Sequence, residues 1–231
     1  MFIPLKDLNP RRAYPIVNTS LILLNVLVFI YQYTLTPHAF KLFMTTYATV
    51  PARFPAWLSG HAPIESAFLP LLTSMFLHSG ILHIAGNMLF LWIFGDNVED
   101  FYGHITYLFF YLLCGLGSGL LHVLFNMSST IPALGASGAI SGVMGAYAIL
   151  YPRSRILTLV FVFLVPIPAV LILGYWFILQ FLSAFGSLGS VGSNASGGVA
   201  WWAHVGGFLL GMLITTMARS QQRSARWQSS E

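Results

Sequence analysis

The sequence predicts an all-α integral membrane protein, a bundle of six transmembrane helices with a long interfacial first loop. Hydrophobic residues make up 57% of the 231 residues and charged residues only 7%, whereas a soluble domain carries roughly 25% charged residues. So little charge cannot cover a water-facing surface, which excludes an ordinary soluble fold. Six apolar segments alternate with more polar ones, and backbone groups in hydrocarbon must be hydrogen-bonded internally. Each apolar segment is therefore expected to be a helix.

The proposed spans follow the apolar segments in chain order. The first is about long enough to cross a bilayer, and no A-x-A cleavage site follows it, so we expect a retained helix rather than a signal peptide. We predict a cytoplasmic segment at 1–15, a six-helix domain at 16–218 and a cytoplasmic basic tail at 219–231. The six spans are residues 16–33, 82–98, 105–125, 137–150, 156–185 and 199–217.

Two connections between the spans stand out by composition. The first loop, residues 38–81, contains the Pro- and aromatic-rich stretch "VPARFPAW". It is too polar and too often broken to span, so we expect an interfacial loop with short helices. The connection at 186–198, "GSLGSVGSNASGG", is uncharged and rich in Gly and Ser, a composition typical of flexible connectors. A simple linker and a mobile cap over a site both fit this segment.

The distribution of basic residues predicts the orientation in the membrane. If the N-terminus is cytoplasmic, only Lys41 and Arg53 of the ten Lys and Arg residues lie outside, which satisfies the positive-inside rule. We therefore predict a multi-pass protein of the cell membrane with both termini cytoplasmic, and with the acidic turn "GDNVED" (95–100) on the same side. The basic residues are spread between apolar runs, which does not indicate a nucleic-acid partner. The inner set comprises Lys6, Arg11, Arg12, Arg153, Arg155, Arg219, Arg223 and Arg226.

Polar side chains within the spans indicate a functional site, because such residues are costly in a bilayer and usually functional. The set includes His83, Asn87, Ser137 and His204. At a rise of ~1.5 Å per residue, His83, Ser137 and His204 lie about 22 to 26 Å from the cytoplasmic ends of their helices. The hydrocarbon core is ~30 Å thick. We therefore expect a site a little below the outer surface.

Small residues spaced four apart allow two of these helices to approach closely. Gly138 and Gly142 form such a pair in the fourth span, and Gly207 and Gly211 form another in the sixth. Faces of this kind let transmembrane backbones come near each other. If the two faces pack, Ser137 could reach hydrogen-bond distance from a histidine of the sixth span. Glycines that only pack helices are equally consistent with the pattern.

A serine and a histidine at one depth point to nucleophilic catalysis. A serine hydroxyl becomes a good nucleophile when a nearby base takes its proton, and histidine is the usual base near neutral pH. Backbone N–H groups at the start of the fourth span favour developing negative charge. Asn87 and His83, four residues apart on one helix face, could donate to the same oxyanion. The outer side holds one carboxylate, Glu65, in a loop, so we predict a Ser137–His204 dyad.

Four motifs, taken together and in this order, resemble the rhomboid family of intramembrane serine proteases. They are "HSGILHIAGN" (78–87), "FGDNVEDFYGHITYLFFYLLCG" (94–115), "GASG" (135–138) and "AHVGGFLLG" (203–211). The resemblance covers nearly the whole chain and is to the minimal six-helix prokaryotic form. It implies a rhomboid bundle that cleaves transmembrane helices of other membrane proteins near their outer ends, without cofactors. It also implies that the substrate enters past the fifth helix and the loop before the sixth.

The resemblance assigns roles to individual residues of this chain. Ser137 matches the family's nucleophile and His204 its general base, whereas Asn87 and His83 match the pair that stabilises the oxyanion, aided by the Ser137 amide. Three further residues match supporting positions, namely Gly135 beside the serine, Gly138 after it, and His78, whose implied role is structural.

Two features depart from the family pattern. Many members carry an aromatic residue four positions after the serine, stacked on the histidine, and here that position is Ser141. Arg53 and Trp57 are separated, so a Trp-Arg pair of the first loop is not mapped onto them. Another group must therefore hold the ring of His204.

Other classes of intramembrane protease require residues that can be looked for in the sequence. An H-E-x-x-H metalloprotease motif, a pair of intramembrane Asp residues and a membrane-level Lys are all absent from the sequence. We therefore expect no metal and no cofactor, and the expected partners are the lipid bilayer and transmembrane substrates. Two alternatives stay open: a catalytically inactive rhomboid-like binding protein, and a proton- or ion-coupled transporter that uses His83, Asn87 and His204.

Overall fold

The computed structural model describes residues 2–188 and 200–228 and is mostly helical. Residues 189–198 of the Gly/Ser-rich connection, residue 199 of the sixth predicted span and residues 229–231 of the basic tail lie outside the described residues. In chain order the elements are β1 (Phe2–Asp7), α1 (Ile16–Thr34), α2 (Pro37–Tyr47), α3 (Arg53–Leu58), α4 (Ile64–Thr73), a 3-10 turn (Ser74–Phe76), α5 (Ile81–Tyr102), α6 (His104–Phe125), α7 (Ser137–Leu150), β2 (Arg155–Val160), β3 (Phe163–Pro168), α8 (Ala169–Leu188) and α9 (Trp201–Gln228).

Five helices within the described residues are long and apolar enough to cross a membrane, namely α1, α5, α6, α8 and α9. The predicted fourth span is the helix α7, which has 14 residues and at ~1.5 Å per residue measures about 21 Å. It is shorter than a bilayer core and lies in the middle of the bundle, where its residues from Gly138 to Tyr147 are buried. The count of six spans therefore stays a prediction.

The expectation of an all-α fold is wrong, because three strands form an antiparallel sheet in the order β1-β2-β3. The fifth predicted span, 156–185, begins with the hairpin of β2 and β3, and only Ala169 onwards is helical. Pro166 and Pro168 explain the difference, since each disfavours the helical conformation of the residue before it. Phe161, at a φ of 55°, lies in the turn of the hairpin. The strand β1 comes from the predicted N-terminal segment 1–15 and pairs with β2.

The segment between α1 and α5, called the first loop, contains the short helices α2, α3 and α4. Its backbone is joined to the segment before α7 at two points. Thr49 pairs with Ala133 as an isolated bridge, and the Gly135 N–H donates to the Ser74 carbonyl at 2.9 Å. These contacts fix the start of α7 against the first loop.

The acidic stretch 95–100 is not a turn, because α5 continues through it to Tyr102. One of its carboxylates, that of Glu99, accepts hydrogen bonds from backbone N–H groups at the start of α1. Glu99, which is 2% exposed, accepts from the N–H groups of Val17 and Asn18 at 2.9 and 2.7 Å. Negative charge at a helix N-terminus is favourable, so this contact joins the start of α1 to the end of α5.

The helices α7 and α9 meet through glycines at backbone distance. A Cβ on Gly207 would lie 2.1 Å from the Gly138 carbonyl oxygen, and a Cβ on Gly211 would lie 2.0 Å from that of Gly142. A Cβ on Gly145 would lie 2.1 Å from the Phe208 carbonyl oxygen. No side chain of any size fits between these backbones, so both predicted glycine pairs lie in the helix contact.

We expect Gly211→Ala to lower the midpoint of thermal unfolding in detergent, followed by tryptophan fluorescence. The new methyl group would force α7 and α9 apart, and overpacking of this kind costs about 1–3 kcal/mol. Gly174→Ala, in α8 with nothing within 4 Å of the added Cβ, is the matched control and should be neutral or stabilising. If Gly211→Ala and Gly174→Ala changed the unfolding midpoint equally, the close approach of α7 and α9 would be contradicted.

A second expectation concerns Asp7 at the end of β1, outside the membrane-spanning helices. Burial raises the pKa of Asp7 from its ordinary 3.8 to about 6, although hydrogen bonds from Tyr147 and the Asn9 N–H oppose this. The folded protein therefore keeps a proton that the unfolded chain releases between about pH 4 and pH 6. Stability contributed by protonated Asp7 is present below this window and is lost as the pH rises through it.

We expect the stability of Asp7→Asn, relative to wild type, to increase as the pH rises from about 4 to 6, because Asn cannot ionise. Unfolding midpoints measured for both proteins across that range test this. Glu65→Gln, at an exposed carboxyl, controls for the loss of a negative charge. A difference between Asp7→Asn and wild type that does not change with pH would refute the assignment.

Candidate active site

Ser137 and His204 lie in hydrogen-bond contact, with 2.7 Å between Ser137 Oγ and His204 Nε2. Ser137 is the first residue of α7, and His204 lies in the first turn of α9. The glycine contacts between these helices bring the two side chains together. The sequence predicted this pair, and the arrangement can transfer a proton from the hydroxyl to the imidazole.

The other ring nitrogen of His204 contacts a residue that the sequence analysis did not include. Gln180 Oε1, from α8, lies 2.6 Å from His204 Nδ1, and the Gln180 side chain is buried, with 8% exposed. Its signal in the sequence was an amide side chain in an otherwise apolar and aromatic run. A polar residue inside a span is usually functional, so Gln180 carries the same signal in the sequence as His83 and Asn87.

Ser141 stands where many rhomboid proteins carry an aromatic residue, and aromatic rings from α8 and α9 flank His204 instead. The Trp176 ring in α8 lies 5.8 Å from the imidazole, centroid to centroid, at 38°, and the Trp201 ring lies 6.2 Å away, nearly perpendicular. Ser141 Oγ instead donates to the Ser137 carbonyl. The ring is therefore held by neighbours in α8 and α9 rather than by the fourth residue after Ser137.

Two side-chain donors point at the backbone just before Ser137. A Cβ on Gly135 would lie 2.8 Å from His83 Nε2 and 3.5 Å from Asn87 Nδ2. The Ser79 N–H donates to His83 Nδ1 at 3.4 Å, which leaves the proton of a neutral ring on Nε2. Asn87 Nδ2 is buried and has no hydrogen-bond partner among the described residues. Both N–H donors are thus available for an acceptor beside Ser137.

Backbone groups complete this donor set. The first N–H groups of α7 have no acceptor within the helix, and they begin at Ser137. Gly135 has a φ of +121°, a conformation that favours glycine. The same chain segment therefore makes room for His83 and turns the backbone into the helix.

The two remaining predicted residues, His78 and Gly138, lie beside the candidate site. His78 is fully buried, its ring lies 5.1 Å from that of His83, and its backbone is hydrogen-bonded to Gln32. A Cβ on Gly138 would lie 2.1 Å from Ser118 Oγ, so a larger residue would push α7 away from α6.

Ser137 lies between two cavities. One, of about 280 Å³, opens between α5 and α8 and is lined by His83, Asn87, Gln180 and His204, among others. The other, of about 40 Å³, shares only Ser137 with the first and is lined by Ser74, Ser118 and His122, among others. Among the residues the structure describes, no three His, Cys, Asp or Glu side chains are grouped so that they could hold a metal ion.

Comparison with known proteins relates this site to one family. A family profile described as Rhomboid domain matches residues 65–221. Rhomboid protein 1, mitochondrial, of Saccharomyces cerevisiae is 32% identical over 174 residues, which are 70% of this chain and 46% of that protein. RHOMBOID-like protein 6, mitochondrial, of Arabidopsis thaliana is 34% identical over 154 residues, 67% of this chain and 45% of that protein. Rhomboid protease GluP of Bacillus subtilis is 45% identical over 76 residues, 33% of this chain and 14% of that protein. The chain thus spans less than half the length of these curated relatives.

We expect Gly135→Ala to reduce labelling of Ser137 by a fluorophosphonate roughly 100-fold, since displacements of about 1 Å in a catalytic site have effects of that size. The new methyl group would displace His83 and strain the backbone. Gly60→Ala is the matched control, because Gly60 also has a positive φ, of 76°, but nothing lies within 4 Å of the added Cβ. It should lose stability without losing reactivity. Equal labelling of the two variants would contradict the assignment.

Proposed function

Because the chain belongs to the rhomboid family, we propose that it is an intramembrane serine endopeptidase that hydrolyses peptide bonds in or near transmembrane helices of other membrane proteins. The single observation that carries this proposal is the 2.7 Å contact between Ser137 Oγ and His204 Nε2. In the proposed roles, Ser137 is the nucleophile and His204 is the general base.

The first half of the proposed reaction forms an acyl-enzyme. Ser137 Oγ attacks the carbonyl carbon of the scissile bond while His204 Nε2 takes the hydroxyl proton. The tetrahedral intermediate then collapses, the C–N bond breaks, and His204 returns the proton to the leaving amine. Water attacks the resulting ester in the second half, again with His204 as base, and releases the carboxylic acid and Ser137. Atoms and charges balance without a cofactor.

The proposed oxyanion site consists of His83, Asn87 and the first N–H groups of α7. Support comes from the buried, unpartnered Asn87 Nδ2 among the described residues and from the position of His83 Nε2 beside Gly135. Donors already aimed at the developing charge stabilise the transition state without reorganisation. The unsatisfied amide of Asn87 would gain its hydrogen bond when the oxyanion forms.

The two cavities support separate routes for substrate and water. The space between α5 and α8 is where an unwound segment of a transmembrane substrate would lie against Ser137. The smaller cavity, of about 40 Å³ and with hydroxyl and imidazole groups in its wall, is large enough for water, which needs roughly 10–15 Å³. This second cavity would supply the water that hydrolyses the acyl-enzyme.

The protein is a multi-pass membrane protein, and its membrane and orientation are part of the proposal. We place it in the cell membrane with both termini cytoplasmic and the site opening towards the outer side. The support is the excess of Lys and Arg at the end of the bundle that holds β1 and the start of α1, opposite Ser137. The two relatives named mitochondrial indicate that membranes other than the cell membrane have to be compared in the test of localisation.

We expect purified wild-type protein in proteoliposomes to cleave a model transmembrane substrate, and Ser137→Ala and His204→Ala each to lower the rate roughly 10⁴-fold or more. Ser20→Ala and His61→Ala, at exposed positions remote from the site, should cleave at the wild-type rate. Cleavage that survives Ser137→Ala would refute the mechanism. A wild type that cuts none of several substrates and is not labelled by a fluorophosphonate would favour the inactive binding protein.

A further inference from the structure

We propose that Gln180 is a positioning residue that fixes the tautomer and the orientation of His204, so that the candidate dyad depends on a third side chain from α8. The inference rests on the proposed function, because it concerns how His204 acts as a base. The contact that carries it is the 2.6 Å distance between Gln180 Oε1 and His204 Nδ1.

The positions of the protons on His204 determine which atom donates in the hydrogen bond between His204 Nδ1 and Gln180 Oε1. A neutral imidazole carries one proton on one of its two nitrogens. His204 Nε2 has to be the bare nitrogen in order to accept the Ser137 hydroxyl proton, so Nδ1 carries the hydrogen. An amide oxygen is an acceptor only, and Gln180 Oε1 lies where that hydrogen points. In this orientation of the amide, the opposite tautomer would leave Oε1 facing a bare nitrogen, which is repulsive, and the amide would have to rotate to present its NH2 group instead.

Burial makes the contact selective between the two tautomers. Gln180 is buried, with 8% of the residue exposed, and the contact with His204 Nδ1 is partly buried, so access of water to Nδ1 is limited. Without this acceptor the N–H would lose its hydrogen bond in a partly buried position, where an unsatisfied donor is costly. Gln supplies the acceptor with no charge, whereas an ionised carboxylate at this depth would itself have to be removed from water.

The helix α8 holds the ring through a second contact one turn earlier. Trp176 is four residues before Gln180 and therefore lies on the same helix face, and its ring centroid is 5.8 Å from that of His204. Phe177 stacks on Phe208 of α9 at 4.7 Å between ring centroids. The packing of α8 on α9 thus holds the amide and the indole together against the imidazole.

The position of α8 consequently affects catalysis as well as access. Gln180 and Trp176 also line the cavity between α5 and α8 that the substrate is proposed to occupy. A displacement of α8 away from α9 would remove the acceptor from Nδ1 and the indole from the ring at once. The dyad is then fully oriented only while α8 is packed against α9.

The test replaces the acceptor while keeping the size of the side chain. Gln180→Met removes the oxygen, Gln180→Glu keeps one, and Leu179→Met, on an exposed neighbour in α8, is the matched control. We expect Gln180→Met to lower kcat and the rate of fluorophosphonate labelling roughly 10- to 100-fold, the size of effect seen when the hydrogen-bond partner of a metal-bound imidazole is removed, with KM unchanged. Gln180→Glu should recover part of the loss, and Leu179→Met should match wild type.

A labelling rate for Gln180→Met within twofold of wild type would overturn the inference, as would a Gln180→Glu variant no better than Gln180→Met. The small probe needs no helix to enter, so a loss of cleavage with normal labelling would mean that Gln180 acts on access only, which also overturns it. If Gln180→Met does not fold, Gln180→Asn, one methylene short of the ring, takes its place.

A spectroscopic measurement separates this inference from the proposed function. Nitrogen-15 chemical shifts of His204 distinguish the two neutral tautomers in protein that is not turning over. We expect the Nδ1–H form in wild type and a mixture in Gln180→Met. A wild type that shows this tautomer but neither cleaves nor labels would refute the proposed function alone. An unchanged tautomer in Gln180→Met would refute the role of Gln180 alone.

Discussion

The contact between α7 and α9 is the constraint on which the site depends. Three glycine positions bring the two backbones so close that an added Cβ would lie 2.0 to 2.1 Å from a carbonyl oxygen of the other helix. Ser137 and His204 each lie at the N-terminal start of one of these helices. Because the two helices are fixed against each other, the side chains of Ser137 and His204 come into contact although both project from helices and neither lies in a loop.

The polar groups of the candidate site differ in charge from the carboxylates at the other end of the bundle. The site at one end uses a hydroxyl, imidazoles and amides, which can be neutral when removed from water. The carboxylates of Asp7, Glu99 and Asp100 lie at the other end, where they bind backbone N–H groups or Asn and Tyr side chains. Burying a charge in a bilayer is far more costly than burying an amide, so the candidate site is built from groups that can be neutral, whereas the carboxylates lie at the opposite end of the bundle.

The sequence predicted most of the helices and the central pair of the site, because both depend on local and periodic signals. Glycines four apart and polar residues at one depth are visible without any knowledge of tertiary contacts. The hairpin of β2 and β3 was missed because its apolar residues continue without a polar break into α8, and only Pro166 and Pro168 mark the change. Gln180 was visible as a polar residue inside an apolar span, but its contact with His204, 24 residues away along the chain, could not be predicted from spacing within one helix.

The pairing of β1 with β2 has a consequence for how the chain is made. Phe2 pairs with Val160, so one edge of the sheet is synthesised before α1, the first loop, α5, α6 and α7, and its partner comes after them. At 5–20 residues per second, the interval between the two strands is roughly 8 to 30 s of translation. During that time β1 has no strand to pair with. The sheet therefore ties the first residues of the chain to the segment that directly precedes α8.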